Sequence, residues 1–245
     1  MLHSYFRELK ALLNKVEENE KESIKKAACK IAGCIQGNGI VHVFGCGHSH
    51  IIGEELFYRA GGLVPISPIL VEDVMLHKGA VRSSQLEKDE QFAEKIMSHV
   101  DIRSNDVVIV VSTSGRNPVP IDVAEMAKSG GAFVIGITSL RYSKTQSSRH
   151  HSGHFLSDSV DLVIDNHVEV GDALMKADEL ETPFGTGSTV IGTAIANGMM
   201  AEAVDEMIKS GFRPPIFKSG NVDGAEEHNR LLIEQYKDRI PMLVL

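Results

Sequence analysis

The chain of 245 residues contains no tryptophan, and aromatic residues make up only 5% of it. It has three cysteines, at positions 29, 34 and 46, and no Cys-x-x-Cys pair. An odd number of cysteines without that spacing argues against a disulfide framework and against a thiolate zinc site. We therefore expect a protein of the reducing cytoplasm.

Positive charge is also scarce, because 25 Lys and Arg stand against 33 Asp and Glu, for a formal net charge of −8. Binding along nucleic-acid phosphates needs clustered Lys and Arg, so we expect no nucleic-acid partner. No segment approaches the roughly 18 apolar residues of a membrane span, and the N-terminal segment lacks the apolar block of a signal peptide. A small-molecule ligand or a protein partner fits this composition better.

Short apolar runs alternate with amphipathic stretches along the chain. Strands are predicted over 40–45, 63–71, 106–111, 132–139 and 161–165, and helices over 49–59, 87–100, 119–129 and 187–209. The central run is apolar throughout, as in a strand buried on both faces of a parallel sheet. This alternation predicts an α/β fold, a doubly wound five-stranded parallel sheet with helices on both faces.

Two further segments flank the predicted sheet domain of residues 37–212. Residues 1–36 have helical apolar spacing and are expected to cover the core or to form a subunit interface. Residues 213–245 begin with a proline-marked break and contain a final helix. This C-terminal tail is long enough to reach a neighbouring subunit.

Two loops after predicted strands are rich in glycine and hydroxyl residues, at 45–50 (GCGHSH) and 112–117 (STSGRN). In open α/β sheets, ligands bind beyond the carboxyl ends of the strands, where helix N-termini present free N–H groups. Hydroxyls and amides together could hold a phosphate without lysine. The alternative is that these serines only cap helices. A third loop, 179–189, has the same two interpretations and offers Ser188 as a weaker ligand contact.

The segments GCGHS and VVIVVSTSGRNPVPIDVAEMAKSGGAFVIGITS resemble the sugar isomerase (SIS) domain, which has a Gly-x-Gly-x-Ser loop and a later Ser-x-Ser-Gly-x-Thr/Asn loop. The resemblance covers about residues 30–210 and implies a flavodoxin-like sheet in a homo-oligomer, a dimer or tetramer with sites near the interfaces. It also implies a phosphosugar site. The residues implied to hold the phosphate are Ser49, Ser112, Thr113, Ser114 and Asn117, the last standing where the family usually has threonine.

The resemblance also suggests catalytic residues. Glu55 lies in EELFYR (54–59), which is similar to the AELxxR stretch of phosphoheptose isomerases. His228 lies in the tail, and such tails in SIS enzymes often complete a neighbour's pocket. A carboxylate and a histidine suffice for aldose–ketose isomerisation of a sugar phosphate without a cofactor. Two alternatives stay open: a phosphosugar sensor without turnover, and a sugar-phosphate lyase or etherase. Both residues could also be ordinary surface side chains.

The remaining histidines give weaker signals. His48 and His50 flank Ser49 and could contact the ligand. His50 also occupies the third glycine position of a dinucleotide-binding fingerprint, which argues against that class. His150 and His154 have an i, i+4 spacing, with His151 between them, but no accompanying His-Glu-x-x-His carboxylate. We therefore expect no metal at this cluster.

Overall fold

The computed structural model describes residues 1–244 and contains a single five-stranded sheet with the order β2-β1-β3-β4-β5. Its strands are β1 (Val41–Gly45), β2 (Ile66–Pro68), β3 (Val107–Val111), β4 (Phe133–Thr138) and β5 (Leu162–Asp165). All neighbouring pairs are parallel. The predicted doubly wound parallel sheet is confirmed.

The strand order reverses beside β1, because the chain runs outward from β1 to β2 and then returns to place β3 on the other side. In this register Gly45 pairs with Val111, so the carboxyl ends of β1 and β3 lie side by side. Such a switch point leaves a crevice where two loops diverge. The two loops singled out in the sequence begin at this position.

Nine α-helices connect and flank the strands in residues 1–244. They are α1 (Leu2–Gln36), α2 (Ile51–Leu56), α3 (Ala80–Leu86), α4 (Phe92–Met97), α5 (Pro118–Ser129), α6 (Leu140–Thr145), α7 (Leu156–Ser159), α8 (Ser188–Lys209) and α9 (Ala225–Tyr236). None of these helices combines the length and apolar character needed to cross a bilayer.

The helix predicted over 87–100 is wrong in its bounds. The structure has a shorter α4 there, and an earlier helix, α3, that the sequence analysis did not predict. Within α3 only Ser83 is buried, so the helix has no apolar periodicity to detect. Between the two helices, Asp89 accepts the amide of Gln91 at 3.0 Å and stabilises a turn.

The two faces of the sheet bury different helices. Val41, Val43 and Ile109 pack with α1, α2 and α8, whereas Phe44 and Val108 pack with α4, α5 and α7. In α1, the residues fully buried in this core are Ala27, Ala28 and Ile31. The N-terminal helix therefore covers the core of its own chain.

The C-terminal tail packs beside the amino end of β1. Tyr236 and Ile240 join Ile40 in a third apolar cluster. Nη2 of Arg239 lies 2.8 Å from Oδ2 of Asp106, a carboxylate with no exposed side-chain surface. This ion pair holds the tail around Arg239 against the sheet.

Candidate functional site

A narrow cavity lies at the carboxyl ends of β1 and β3. It is lined by His48, Ser49, Ile52, Val111, Thr113, Asn166, Ser188, Thr189 and Gly192. The structure therefore brings Ser49, Thr113 and Ser188 together from three separate loops. Its volume of about 20 Å³ has room for roughly one water molecule.

The first loop depends on a glycine to place Ser49 in this cavity. A Cβ atom on Gly45 would lie 2.7 Å from the main-chain carbon of Ser49, closer than real Cβ atoms approach other atoms. Gly47 has a φ of 55°, in the left-handed region that favours glycine. The chain then forms a 3₁₀ turn over Gly47–His50 before α2 begins.

The two histidines beside Ser49 have different surroundings. His48 is exposed at the rim of the cavity. His50 turns back onto its own loop, where Nδ1 contacts the carbonyl of Gly47 and Nε2 lies 3.7 Å from Oε1 of Glu54. His50 does not line the cavity.

The second loop presents Thr113 to the cavity and Ser112 to its own backbone. Ser112 is buried, and its Oγ accepts the amide of Gly115 at 3.2 Å. Gly115 has a φ of 57°, and a Cβ there would lie 2.6 Å from Oγ1 of Thr138. Ser114 is half-buried and does not line the cavity.

Asn117, at the end of this loop, contacts two charged residues that the sequence analysis missed. Its Oδ1 accepts a hydrogen bond from Nη1 of Arg149 at 2.9 Å. Burial raises the pKa of Glu87, while hydrogen bonding to Asn117 acts in the opposite direction. Burial, followed by the charge of Glu87, raises the pKa of the Cys46 thiol. Neither Glu87 nor Arg149 lies in a recognisable motif.

An internal carboxylate occupies the N-terminus of α8. Oδ1 of Asp172 accepts the amides of Gly187 at 3.1 Å and Ser188 at 2.9 Å, and Oδ2 accepts the Ser188 hydroxyl at 2.6 Å. Asp172 itself has a φ of 50°, which is uncommon for a residue with a side chain. The first amides of α8 and the Ser188 hydroxyl therefore already have an acceptor within the chain.

Glu55 lies outside the cavity, on the contact between α2 and α8. Its Oε1 accepts Nδ2 of Asn197 at 3.0 Å and also forms an ion pair with Arg59. Ile52, one helical turn earlier in α2, lines the cavity. Moving away from the cavity along α2 and α8, the hydrogen-bonded pair of Glu55 and Asn197 is therefore the next polar contact between the two helices.

His228 lies in the tail on α9, and it is not among the residues that line the cavity around Ser49. Its Nε2 lies 2.9 Å from the carbonyl of Ile216, so this nitrogen donates a hydrogen bond. The surrounding groove includes Arg213 and Gln235.

The three clustered histidines contact separate partners. His150 is buried, with Nε2 2.9 Å from Oδ1 of Asp122 and Nδ1 2.7 Å from Oγ of Ser152. His151 and His154 are exposed and lie near different glutamates. Across residues 1–244, the one group of three potential metal ligands is elsewhere, at Glu202, Asp205 and Glu206. There Lys209 Nζ already lies 2.6 Å from Asp205.

Comparison with known proteins identifies the family. The model of the SIS domain matches residues 4–139. The chain belongs to the SIS domain family. Among its relatives, a UPF0309 protein of Halalkalibacterium halodurans is 56% identical over 245 residues, covering 100% of this chain and 98% of the relative. A UPF0309 protein of Geobacillus kaustophilus is 56% identical over 244 residues, covering 100% and 97%.

Solved structures agree with the fold. A phosphoheptose isomerase from Francisella tularensis matches with a TM-score of 0.51 and 14% identity, covering 83% of this chain and 96% of the other. The sugar isomerase domain of an RpiR transcription factor from Sphaerobacter thermophilus matches with a TM-score of 0.51 and 15% identity, covering 97% and 98%. At these identities the likeness concerns the fold alone.

Proposed function

We propose that the protein binds a phosphorylated sugar at the cavity around Ser49 and isomerises it between aldose and ketose. The observation that carries the proposal is the convergence of Ser49, Thr113 and Ser188 from three loops at the switch point of the sheet. Hydroxyls and helix N-terminal amides suit a phosphate dianion. Hydrogen bonds to a charged group are worth roughly 1.5–3 kcal/mol each.

At about 20 Å³ the cavity is too small for a phosphate, and Asp172 already accepts the amides at the start of α8. In this proposal the phosphate displaces the Asp172 carboxylate and takes over the amides of Gly187 and Ser188. Asp172 is therefore an internal competitor. Asp172→Asn, which removes its charge, should bind phosphate more tightly than the unmodified chain.

The remaining predicted ligands fit this proposal in two ways. Ser114 lies next to Thr113 in the second loop but does not line the cavity, so its contact with the phosphate stays a prediction. Ser112 and Asn117 hold that loop through Gly115 and Arg149, and their direct contact with phosphate stays a prediction.

Glu55 is the proposed base that moves the proton between C1 and C2. Along the backbone it lies about 10 Å beyond Ser49, at a rise of roughly 2.0 Å per residue in the 3₁₀ turn and roughly 1.5 Å in α2. An extended hexose phosphate spans roughly 8 Å from C1 to phosphorus, at about 1.2 Å per bond. Both contacts of Glu55 use Oε1, and among residues 1–244 no hydrogen bond to Oε2 occurs. Oε2 is the oxygen proposed to accept the proton.

His228 enters this mechanism through a second copy of the chain. In its own chain it donates to Ile216 and lies away from the cavity lining. The proposal therefore includes a homo-oligomer in which the tail of one subunit reaches the site of another. Cross-linking or sedimentation would measure the assembly, and a monomer with full activity would remove His228 from the mechanism.

Deuterium exchange tests the chemistry across a panel of sugars. Aldose phosphates of five, six and seven carbons are incubated with the protein in D2O, and incorporation at C2 is followed by NMR. Glu55→Gln should lower the rate by roughly 10²–10⁴-fold, the usual contribution of a general base. Glu54→Gln, its exposed neighbour, is the matched control and should retain activity.

Binding of the same sugar phosphates is measured in parallel by calorimetry. Ser49→Ala and Thr113→Val should each weaken binding by roughly ten-fold or more. Binding without exchange in any sugar would support the alternative of a phosphosugar sensor. Cleavage of a sugar ether or carbon–oxygen bond would support the lyase alternative, and absence of binding would refute the site.

A further inference from the structure

A second and larger cavity lies beside the edge strand β2, between α4 and the C-terminal tail. Its volume of about 520 Å³ falls within the range of roughly 300–1,000 Å³ typical of small-molecule sites. Much of its wall is apolar, formed by Pro68, Ile69, Phe92, Ile96, Val100 and Met242. It shares no lining residue with the cavity around Ser49.

A buried histidine in the wall of this cavity lacks hydrogen bonds. His42, on β1, is 2% exposed, and neither ring nitrogen has a hydrogen-bond partner within residues 1–244. Its Nε2 lies 3.4 Å from Oδ2 of Asp106, but that oxygen already accepts the Arg103 amide and the Arg239 guanidinium. An unsatisfied buried polar group costs roughly 1–3 kcal/mol.

The neighbouring charges indicate which partner His42 needs. The Asp106 carboxylate next to Nε2 favours the tautomer with its proton on that nitrogen, which leaves Nδ1 as an acceptor. A ligand must then offer a hydrogen-bond donor.

The charges around the cavity do not select an anion. Two basic residues, Lys95 and Arg239, line the cavity. Three acidic residues also line it, Glu72, Asp101 and Asp238, so the negative charges exceed the positive charges by one. An anion would gain no net attraction from this set. A neutral ligand would avoid the cost of burying an unpaired charge.

We propose that this cavity is a second binding site, for an uncharged small molecule with an apolar body and one hydroxyl or N–H donor directed at Nδ1 of His42. A sugar phosphate, being a dianion without an apolar body, is a poor match for it. The site is therefore separate from the proposed function and can succeed or fail independently.

Three probes of similar size separate the elements of this proposal. 2-Naphthol carries an apolar body and a hydroxyl donor, 2-methoxynaphthalene lacks the donor, and 2-naphthoate is an anion. Each is titrated into the full chain labelled with ¹⁵N histidine, and long-range ¹H–¹⁵N spectra follow the ring nitrogens of His42. We expect 2-naphthol to shift the Nδ1 resonance and to bind roughly ten-fold more tightly than either other probe, the value of one hydrogen bond.

Variants that fill the cavity with a large side chain test whether 2-naphthol binds there. Met242→Trp, at a half-buried lining position, should abolish the 2-naphthol shift, and Val100→Trp should do the same if one variant fails to fold. Val244→Trp lies in the same tail but at an exposed position outside the lining, and should leave binding unchanged. Equal affinity for naphthol and its methyl ether, binding unaffected by both filling variants, or no shift at His42 would overturn the proposal.

Discussion

The buried carboxylate of Asp106 offers a quantitative test of how the tail is held on the sheet. Oδ1 accepts the amide of Ile40 at 2.8 Å, and Oδ2 accepts the amide of Arg103 and Nη2 of Arg239, each also at 2.8 Å. The substitution Asp106→Asn replaces one of these oxygens with an amide that cannot accept. It also removes the negative charge beside Arg239.

Two estimates of the cost agree. Burial acts to raise the pKa of Asp106. The neighbouring His42 and the amides of Ile40 and Arg103 have the opposite and larger effect, so the pKa falls from 3.8 to about 2. At 1.36 kcal/mol per pKa unit, this shift corresponds to roughly 2–3 kcal/mol of folding free energy. Breaking a buried ion pair costs roughly 3–5 kcal/mol. We expect Asp106→Asn to lose about 3 kcal/mol at neutral pH.

The pH dependence follows from the direction of the shift. Because the folded pKa lies below the unfolded one, the stabilisation is fully present above about pH 4 and is lost as the pH falls toward about 2. Urea unfolding followed by circular dichroism, at one protein concentration and several pH values, measures the difference between wild type and variant. That difference should narrow as the pH falls below about 4.

Asp223→Asn is the matched control, because Asp223 is exposed and substitutions of that kind usually change stability by less than roughly 0.5 kcal/mol. A loss below about 1 kcal/mol for Asp106→Asn at neutral pH would refute the reasoning. So would a difference between wild type and variant that stays constant as the pH falls.

Three further predictions use other parts of the fold. Asp172→Ala should lower the free energy of unfolding by about 1 kcal/mol, because it removes the cap of α8, whereas Asp178→Ala in the same loop should have little effect. Gly33→Ala should stabilise the exposed face of α1 by roughly 0.5–1 kcal/mol, since nothing lies within 4 Å of the added carbon. Gly45→Ala, with the same chemical change, should destabilise the protein and weaken phosphate binding. A thiol reagent at mildly alkaline pH should label Cys29 alone. The other two cysteines are buried, and burial raises the pKa of both thiols, to about 12 for Cys34.

Thermal or urea unfolding measures the stability of the two pairs of variants, at Asp172 and Asp178 and at Gly33 and Gly45. Mass spectrometry of the native and unfolded chain identifies which cysteines are labelled. Equal losses for Asp172→Ala and Asp178→Ala would show that the cap contributes nothing. A stabilising Gly45→Ala would contradict the close approach of the first loop. Labelling of all three thiols in the folded protein would contradict their burial.

Much of the sheet was predictable because its signal is local. The fully apolar run of β3 and the glycines shortly before β1, β2 and β4 mark these elements within a few residues, and the loop glycines at 45 and 115 identify where the chain turns closely. The start of α3 was not predictable, since a surface helix with one buried serine shows no apolar period.

The site was predictable only in part, because some of its contacts join distant segments. Ser49 and Thr113 follow strand ends, so a rule about sheet edges brings them together. Asp172 reaches Ser188 through a loop with a left-handed residue, and no pattern in the sequence marks that loop. Likewise the partners of Asn117, Glu87 and Arg149, come from segments without any motif.

The packing of α1 has a consequence for how the protein is made. Its partners in the core, α8 and β5, lie near the other end of the sequence, and Tyr5 donates to the carbonyl of Thr186 across 181 residues. At roughly 5–20 residues per second, a ribosome needs about 10–40 s to synthesise that interval. During that time α1 can contact only its earlier partners, β1 and β3, and most of its apolar stripe stays uncovered until β5 and then α8 have been synthesised.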